Sequence, residues 1–317
     1  MKRIKIISIF KNKKVLVTGH TGFKGSWLSL WLNSLGAEII GVSIGIPTQP
    51  SHIESIKLEN IIKNYKIDIS DTREISSIIT NEKPDFVFHL AAQSLVRKSY
   101  QDPIGTFKTN VMGSLNLLDS VIKLKSKCIL IMITSDKVYD NVEWDWGYRE
   151  NDKLGGKDPY SASKGMAELG IRSYYESLFN VMKDNQDLRL GIARAGNVIG
   201  GADWAEDRIV PDCIRAWSKK KTVEIRNPNA TRPWQHVLEP LSGYLQMASN
   251  LSDSDLLNGE AFNFGPPASQ EFSVKELIEN MKVKWKNVSW KDISSSNNKF
   301  YEADLLKLNC DKALSKL

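Results

Sequence analysis

Up to about Asn197 the chain alternates between two hydrophobic periods. Short, nearly continuous apolar runs rich in β-branched residues occur at Lys14–Thr18, Glu38–Ile44, Asp85–Leu90, Cys128–Thr134 and Leu188–Arg194. Runs of that length and composition predict buried strands. Between them, apolar positions recur at helical spacing near Phe23–Leu35, Thr72–Thr80, Pro103–Leu124 and Tyr160–Phe179. Asp71 with Glu74 three residues on predicts a capped helix start, and Pro103 suits a first helical position. Strand, helix, strand in steady succession predicts βαβ units and a parallel α/β sheet. Beyond Asn197 the alternation loosens into loops rich in Trp, Pro, Asn and Arg, and Ser294–Asn298 reads as a flexible loop. The expected organisation is a sheet domain over 1–193, to which 234–262 returns, and a smaller lobe built from 194–233 and 263–317. No internal repeat is visible.

Composition narrows the classes without choosing among them. With 41% hydrophobic and 25% charged residues the chain is of globular type, and no apolar run approaches the ~20 residues of a membrane span. The opening Met1–Phe10 is too short in its apolar part for a secretory signal and is followed by Lys11–Lys14, so it reads as a leader into the first strand. Cys128, Cys213 and Cys310 are scattered, with neither metal-site nor redox spacing, which points to free thiols, a reducing cytoplasmic setting and no metal. The formal charge of +6 is dispersed rather than gathered into a stripe. Nucleic acid is therefore not the expected partner.

Chemistry enters at the first strand–helix junction. Gly19, Gly22 and Gly25 recur every third residue just after Lys14–Thr18. Glycines there let the backbone turn tightly and approach a pyrophosphate, while the helix start offers free N–H groups and a positive dipole end. Further on, Tyr160 and Lys164 lie four apart on one helical face. A phenol with an ordinary pKa of ~10 needs a nearby positive charge to act as a base at neutral pH. Ser135, Asp136 and Lys137 follow the strand Ile129–Ile133, at the strand end where open parallel sheets bind ligands. In the looser region, Asn197 can donate to a phosphate or sugar, Arg226 and Arg232 offer forked donors, and Trp204 and Trp234 offer flat faces.

The Gly-x-x-Gly-x-x-Gly spacing with Tyr-x-x-x-Lys resembles the extended, sugar-modifying branch of the short-chain dehydrogenase/reductase superfamily. Dehydratases of that branch commonly carry Thr-Asp-Glu where this chain has Ser135-Asp136-Lys137. Lysine in the last place, together with Gly22–Leu32, Trp146–Glu150, Ala195–Gly201, Asp203–Arg208 and Arg232–Tyr244, resembles the CDP-glucose 4,6-dehydratases. The resemblance runs from about Phe10 to the end. It implies a doubly wound, parallel Rossmann-type sheet holding NAD, with a smaller C-terminal lobe for a nucleotide sugar. The implied cofactor contacts are Gly19, Thr21, Gly22, Phe23, Gly25, Asp68, Ile69, Leu90, Ala91, Ala92, Thr109, Tyr160 and Lys164. The implied substrate contacts are Gln93, Ser94, Asn197, Trp204, Arg208, Pro211, Arg215, Arg226, Arg232 and His236. Val42–Ile46 offers neither the usual ribose-binding carboxylate nor an arginine, so this stretch does not discriminate NAD from NADP. Members of the family continue past Leu317 with a Gly-Trp-x-Pro turn and further helices, so the resemblance implies a C-terminally shortened chain.

The implied reaction has Tyr160 deprotonate the sugar C4 hydroxyl as hydride leaves to NAD. Lys137 then takes the C5 proton, Asp136 protonates the departing C6 hydroxyl, and hydride returns to C6. Repulsion from Lys164 is expected to help keep Lys137 neutral for its task. Two rivals stay open at this level: a nucleotide-sugar epimerase, against which the Asp136–Lys137 pair argues, and a catalytically silent dinucleotide-binding protein. Finally, Tyr160–Phe179 carries two apolar stripes, Ala162, Met166 and Leu169 on one side and Ala167, Ile171, Tyr175 and Leu178 on the other. One can face the sheet and leave the other for a second copy, in a homodimer or homotetramer.

Overall fold

The structure, a computed structural model, describes residues 8–124, 126–179, 187–267, 269–270, 272–296 and 303–317. Seven parallel strands form the central sheet: β1 (Lys14–Thr18), β2 (Glu38–Ser43), β3 (Lys63–Lys66), β4 (Phe86–His89), β5 (Cys128–Ile133), β6 (Leu188–Ala195) and β7 (Ala261–Phe264). Their spatial order is β7-β6-β5-β4-β1-β2-β3. The chain winds outward from β1 to β3, crosses back to β4, and winds the other way to β7. The order thus reverses between β1 and β4, where Thr18 stands opposite His89. Strand connections on opposite faces open a crevice at that switch point, above the carboxyl ends.

The expected strands appear within a residue or so of their predicted ends. β3 gave no hydrophobic signal: Lys-Asn-Tyr-Lys lies at the sheet edge, largely exposed, where polar side chains are the norm. Helices cover both faces. One face buries Leu28 and Leu32 of α1 (Phe23–Ser34) with Leu241, Tyr244 and Leu245 of a long late helix (Leu238–Asp253). The other buries Ile75 and Ile79 of α2 (Thr72–Glu82) with Leu117, Leu118 and Ile171. Asp71 caps α2 by accepting from the Arg73 and Glu74 N–H groups at 2.9 and 3.1 Å.

The single helix expected over Pro103–Leu124 is interrupted. It consists of α3 (Pro103–Phe107), a π turn (Lys108–Met112) and α4 (Gly113–Ile122). Thr109 and Asn110 therefore sit on a local widening of the helix, a feature frequent at functional sites. Likewise α5 (Pro159–Tyr174) passes into a π turn at Tyr175–Phe179. The later part forms α6 (Ile209–Ser218), the Leu238–Asp253 helix (α7), and short two-stranded ribbons such as Thr231–Arg232 with Phe272–Ser273. Ser294–Ser296 is a short 3-10 turn, while residues 297–298 of the expected loop and 1–7 of the expected leader lie outside the described residues. Phe10 is fully buried, 4.9 Å from the Phe86 ring. No helix among the described residues is long and apolar enough to cross a membrane.

Candidate active site

The glycine loop is pressed between β1 and the end of β4. Gly19 takes φ +72°, and a side chain there would lie 2.8 Å from the Ala91 nitrogen. A Cβ on Gly25 would collide with the Gly19 carbonyl oxygen. Gly22 opens α1 as its N-cap without a side-chain cap, so the first N–H groups of the helix face the crevice unmasked. Thr21, buried, donates to the Gly45 carbonyl at 2.7 Å and so ties the loop to the end of β2. A backbone-lined cradle of this kind at a helix start fits a dinucleotide pyrophosphate. Asp68 is exposed and accepts from the Ser70 N–H at 2.8 Å, while Ile69 is buried against Gly113 of α4.

A one-way chain of hydrogen bonds sets the β4 end. The Ala91 N–H donates to Thr18 Oγ1 (3.1 Å), and Thr18 meets His89 Nδ1 at 2.8 Å. On the other side His89 Nε2 meets Ser114 Oγ at 2.9 Å, and Ser114 donates to the Asn110 carbonyl. Because Ser114 spends its proton on that carbonyl, the His89 proton belongs on Nε2. Burial, with the Lys164 charge adding to it, pushes His89 down to about 3, so the ring stays neutral. Leu90, Ala91 and Ala92, half-buried, follow directly beside Gly19. Gln93 is tied internally: its side chain donates to the Leu95 carbonyl and to Thr106 Oγ1 and accepts from the Leu95 N–H. Ser94 beside it is exposed.

The candidate catalytic side chains converge from β5 and α5. Ser135 caps a 3-10 turn over Asp136–Val138, accepting from the Lys137 N–H at 3.2 Å and donating to Asp136 Oδ1 at 2.8 Å. Asp136 is 3% exposed, and its Oδ2 has no hydrogen-bond partner among the described residues. A buried carboxylate oxygen so placed is costly unless a ligand hydroxyl or water completes it. Asp136 and Lys137 line one cleft together with Asn141, Lys157 and Ser161. Asp158 caps α5 through the Ser161 N–H at 3.0 Å, and the Tyr160 N–H donates to Ser99 Oγ at 3.1 Å, so Tyr160 and Lys164 project from an anchored first turn.

Burial dominates the electrostatics of these groups. Burial pushes the Tyr160 phenol up to about 12, while the Ser135 hydroxyl and the Arg208 charge pull it down. Desolvation is the largest of these influences, and the charges of Asp136 and Asp158 add to it. Burial also lowers Lys164 to about 8, and the charge of Lys24 adds to this. Lys24 is itself lowered to about 8 by burial and Arg208, against the pull of Asp136. Sequence reasoning passed over Lys24. The available signal was a lysine in the first turn of α1, where its charge opposes the helix dipole.

The lobe residues divide. Arg208, the N-cap of α6, faces the centre closely enough to influence Tyr160 and Lys24, and is braced by Asp203 at 3.0 Å. Arg215 donates to the Trp204 carbonyl (2.7 Å) and pairs with Asp212, ordering the loop before α6, in which Pro211 is buried. Arg226 pairs with Asp207 at 2.8 Å. Arg232 donates to the Thr231 carbonyl at 2.7 Å, and Trp234 to that of Phe272 at 3.1 Å. The Asn197 carbonyl accepts from the Gln235 N–H at 3.2 Å, and the ring of exposed His236 accepts from the Leu238 N–H at 3.3 Å. The latter two stand on a ribbon that packs beside Phe23 near Gly200.

A doubly wound sheet with this loop, a Tyr-x-x-x-Lys helix and the Ser135–Asp136–Lys137 turn at the end of β5 defines an extended short-chain dehydrogenase architecture. Comparison with known proteins narrows that class. The profile of the GDP-mannose 4,6-dehydratase family matches residues 16–317, and the chain belongs to this family of nucleotide-sugar 4,6-dehydratases. It is 46% identical over 308 residues to the CDP-glucose 4,6-dehydratase of Salmonella typhimurium, covering 96% of this chain and 85% of that protein. The CDP-paratose 2-epimerase of Salmonella typhi is 26% identical, over 93% of this chain and 92% of that one. Among solved structures, the dTDP-glucose 4,6-dehydratase DesIV of Streptomyces venezuelae, bound to NAD and TYD, superposes with a TM-score of 0.79 at 20% identity, covering 96% and 90% of the two chains.

Proposed function

We propose that this chain converts CDP-glucose to CDP-4-keto-6-deoxyglucose with loss of water, in the cytoplasmic synthesis of deoxysugars for surface polysaccharide. The observation that carries the reading is the buried, half-satisfied Asp136 carboxylate beside Lys137, at the carboxyl end of β5 and next to Tyr160. Epimerisation expels no hydroxyl and needs no such acid. Bound NAD supplies a hydride acceptor that later returns the hydride, and so ends as it began. Gly19, Thr21, Gly22, Phe23 and Gly25 would hold its pyrophosphate, Asp68 and Ile69 its adenine, and Leu90, Ala91, Ala92, Thr109, Tyr160 and Lys164 the remainder.

Tyr160 takes the C4 hydroxyl proton. Lys164, four residues on along the same helical face, is its ammonium partner, Arg208 adds positive charge, and the Ser135 hydroxyl lies within hydrogen-bond reach of the phenol. Oxidation at C4 acidifies C5, and Lys137 removes that proton. Asp136, its Oδ1 accepting from Ser135, enters this step as the neutral acid with its proton on Oδ2. It gives that proton to the departing C6 hydroxyl so that water leaves, and is left as the carboxylate, while Lys137 returns its proton to C5 as hydride reaches C6. Gln93, Ser94, Asn197, Trp204, Arg208, Pro211, Arg215, Arg226, Arg232 and His236 form the nucleotide-sugar side, from the lobe of 194–233 and 263–317 set against the domain of 1–193 and 234–262. The decisive experiment incubates purified protein with CDP-glucose and reads the alkali-induced absorbance of a 4-keto sugar. CDP-glucose should be consumed in strong preference to the dTDP, GDP and UDP analogues. Comparable turnover of dTDP-glucose would sink the CDP assignment and leave the dehydratase class intact.

A further inference from the structure

Behind the acid–base turn lies an ion pair that the reaction does not use. Glu168 of α5 and Arg194 of β6 are both 0% exposed, and the Arg194 Nε–H lies 2.9 Å from Glu168 Oε2. Two ions taken out of water cost several kcal/mol each, and a well-packed apolar pair at such a place is often equally stable. Stability alone is therefore a poor reason for this one. Its partners suggest a better reason. Thr134, the residue before Ser135, donates its hydroxyl to Glu168 Oε2 at 3.0 Å. Tyr139, the residue after Val138, accepts from Arg194 Nη1 at 2.6 Å and donates to Asn263 Oδ1 of β7 at 2.7 Å. Both ends of the turn that carries Asp136 and Lys137 are thus fastened to one buried pair, and Glu168 stands one helical turn beyond Lys164. Arg172 adds a second guanidinium to Glu168, and Arg194 also donates to the Glu150 carbonyl at 3.1 Å.

We propose that the Glu168–Arg194 pair, gripped by Thr134 and Tyr139, is the positioning device that sets the acid–base turn against the Tyr160–Lys164 helix, so that C5 deprotonation and water loss depend on it far more than oxidation at C4. Tyr160 and Lys164 have their own anchors in Asp158, Ser99 and the bond from Asn110 to Ser163 at 2.8 Å. The turn is held by the clamp at its two ends, by the bonds of Ser135, and by the Gly155 N–H, which donates to the Val138 carbonyl at 2.8 Å. A displacement near 1 Å costs a proton transfer on the order of a hundredfold. The proposal rests on the dehydratase reading, and the parental protein tests that reading separately by turning over CDP-glucose.

The test compares Thr134→Val, Thr134→Ser and Tyr139→Phe with the parental protein in single turnover. Reduced nicotinamide is followed by absorbance and C5 exchange by solvent deuterium. In Thr134→Val and Tyr139→Phe, C4 oxidation should stay within about threefold of the parental rate, while C5 exchange and product release fall at least tenfold, so that reduced cofactor accumulates. Thr134→Ser, which keeps the hydroxyl, should restore the parental partition. Unchanged C5 exchange in both variants overturns the proposal. So does a fall of both steps in parallel with the melting temperature that serine does not rescue. Should Tyr139→Phe fail to fold, Thr134→Val and its serine counterpart decide alone.

Discussion

Lys164 shows what burying a charge costs the fold. Its ordinary value is 10.5 and burial brings it to about 8. Between those values the unfolded chain binds more protons than the folded one, so this residue makes stability rise with pH across that window and costs stability below it. The shift corresponds to at most roughly 3 kcal/mol. Lys164→Met should therefore abolish turnover yet raise the melting temperature at pH 7, by about 5 °C. The advantage should shrink at pH 9.5, and melting curves at the two pH values check it. Lys137 is expected to behave differently, because its task comes later in the reaction. Lys137→Met should allow C4 oxidation and block water loss, leaving reduced cofactor on the enzyme and little 4-keto-6-deoxy product. Parental C5 exchange in that variant would remove Lys137 as the base. His89 closes the strand β4, beside residues whose contacts the sequence resemblance implied. Only its two partners, Thr18 and Ser114, reveal that it organises the strand end from within.

At the scale of elements, the β1–α1 junction was legible because glycine spacing encodes a backbone path. Gly25 and Gly22 should nevertheless fail differently when substituted. A Cβ on Gly25 drives into the Gly19 carbonyl, whereas one on Gly22 comes no closer than 3.3 Å to the same atom and at an ordinary negative φ. Gly25→Ala should lower the melting temperature and abolish cofactor binding together. Gly22→Ala should keep a near-parental melting temperature and lose several-fold in affinity, read by NADH fluorescence titration. The break of the expected long helix into α3, a π turn and α4 had no such signal. Periodicity reports which face is apolar, and one inserted residue shifts that face too little to be seen in the sequence. In the structure the π turn lets Asn110 reach Gln93 and Ser163 at once.

For the whole molecule, the two stripes of α5 are distributed as two different surfaces require. Ala167 and Ile171 are buried against the sheet side, whereas Met166 and Leu169 are 50% and 56% exposed. Ile104 of α3 and Met112 of the neighbouring π turn are exposed as well. Exposed apolar side chains on packed neighbouring helices favour self-association through a two-fold contact, and we propose a homodimer through this face. Light scattering at micromolar concentration should give the dimer mass, and Met166→Glu with Leu169→Glu should give the monomer. A monomeric parental protein would count against the assignment. Leu178, counted in the inner stripe, is 39% exposed, because α5 has by then passed into a π turn that rotates it outward.

The sequence by itself determined the parallel architecture, the glycine loop, the placing of Tyr160 and Lys164 on one helix, and the polar turn at the end of β5. Each of these is a local signal: a hydrophobic period, a glycine spacing, or a few side chains at the end of a strand. The tertiary structure alone decided which charges meet. Lys24 and Arg208 lie far apart in the chain, yet the one acts on Lys164 and the other on Tyr160. Glu168 and Arg194 neutralise each other beneath it. It likewise decided that the arginines of the lobe are braced by Asp203, Asp207 and Asp212. Coulomb energy and desolvation depend on distances through space and on exclusion of water. Neither is written in the order of residues until the sheet has brought its strands together.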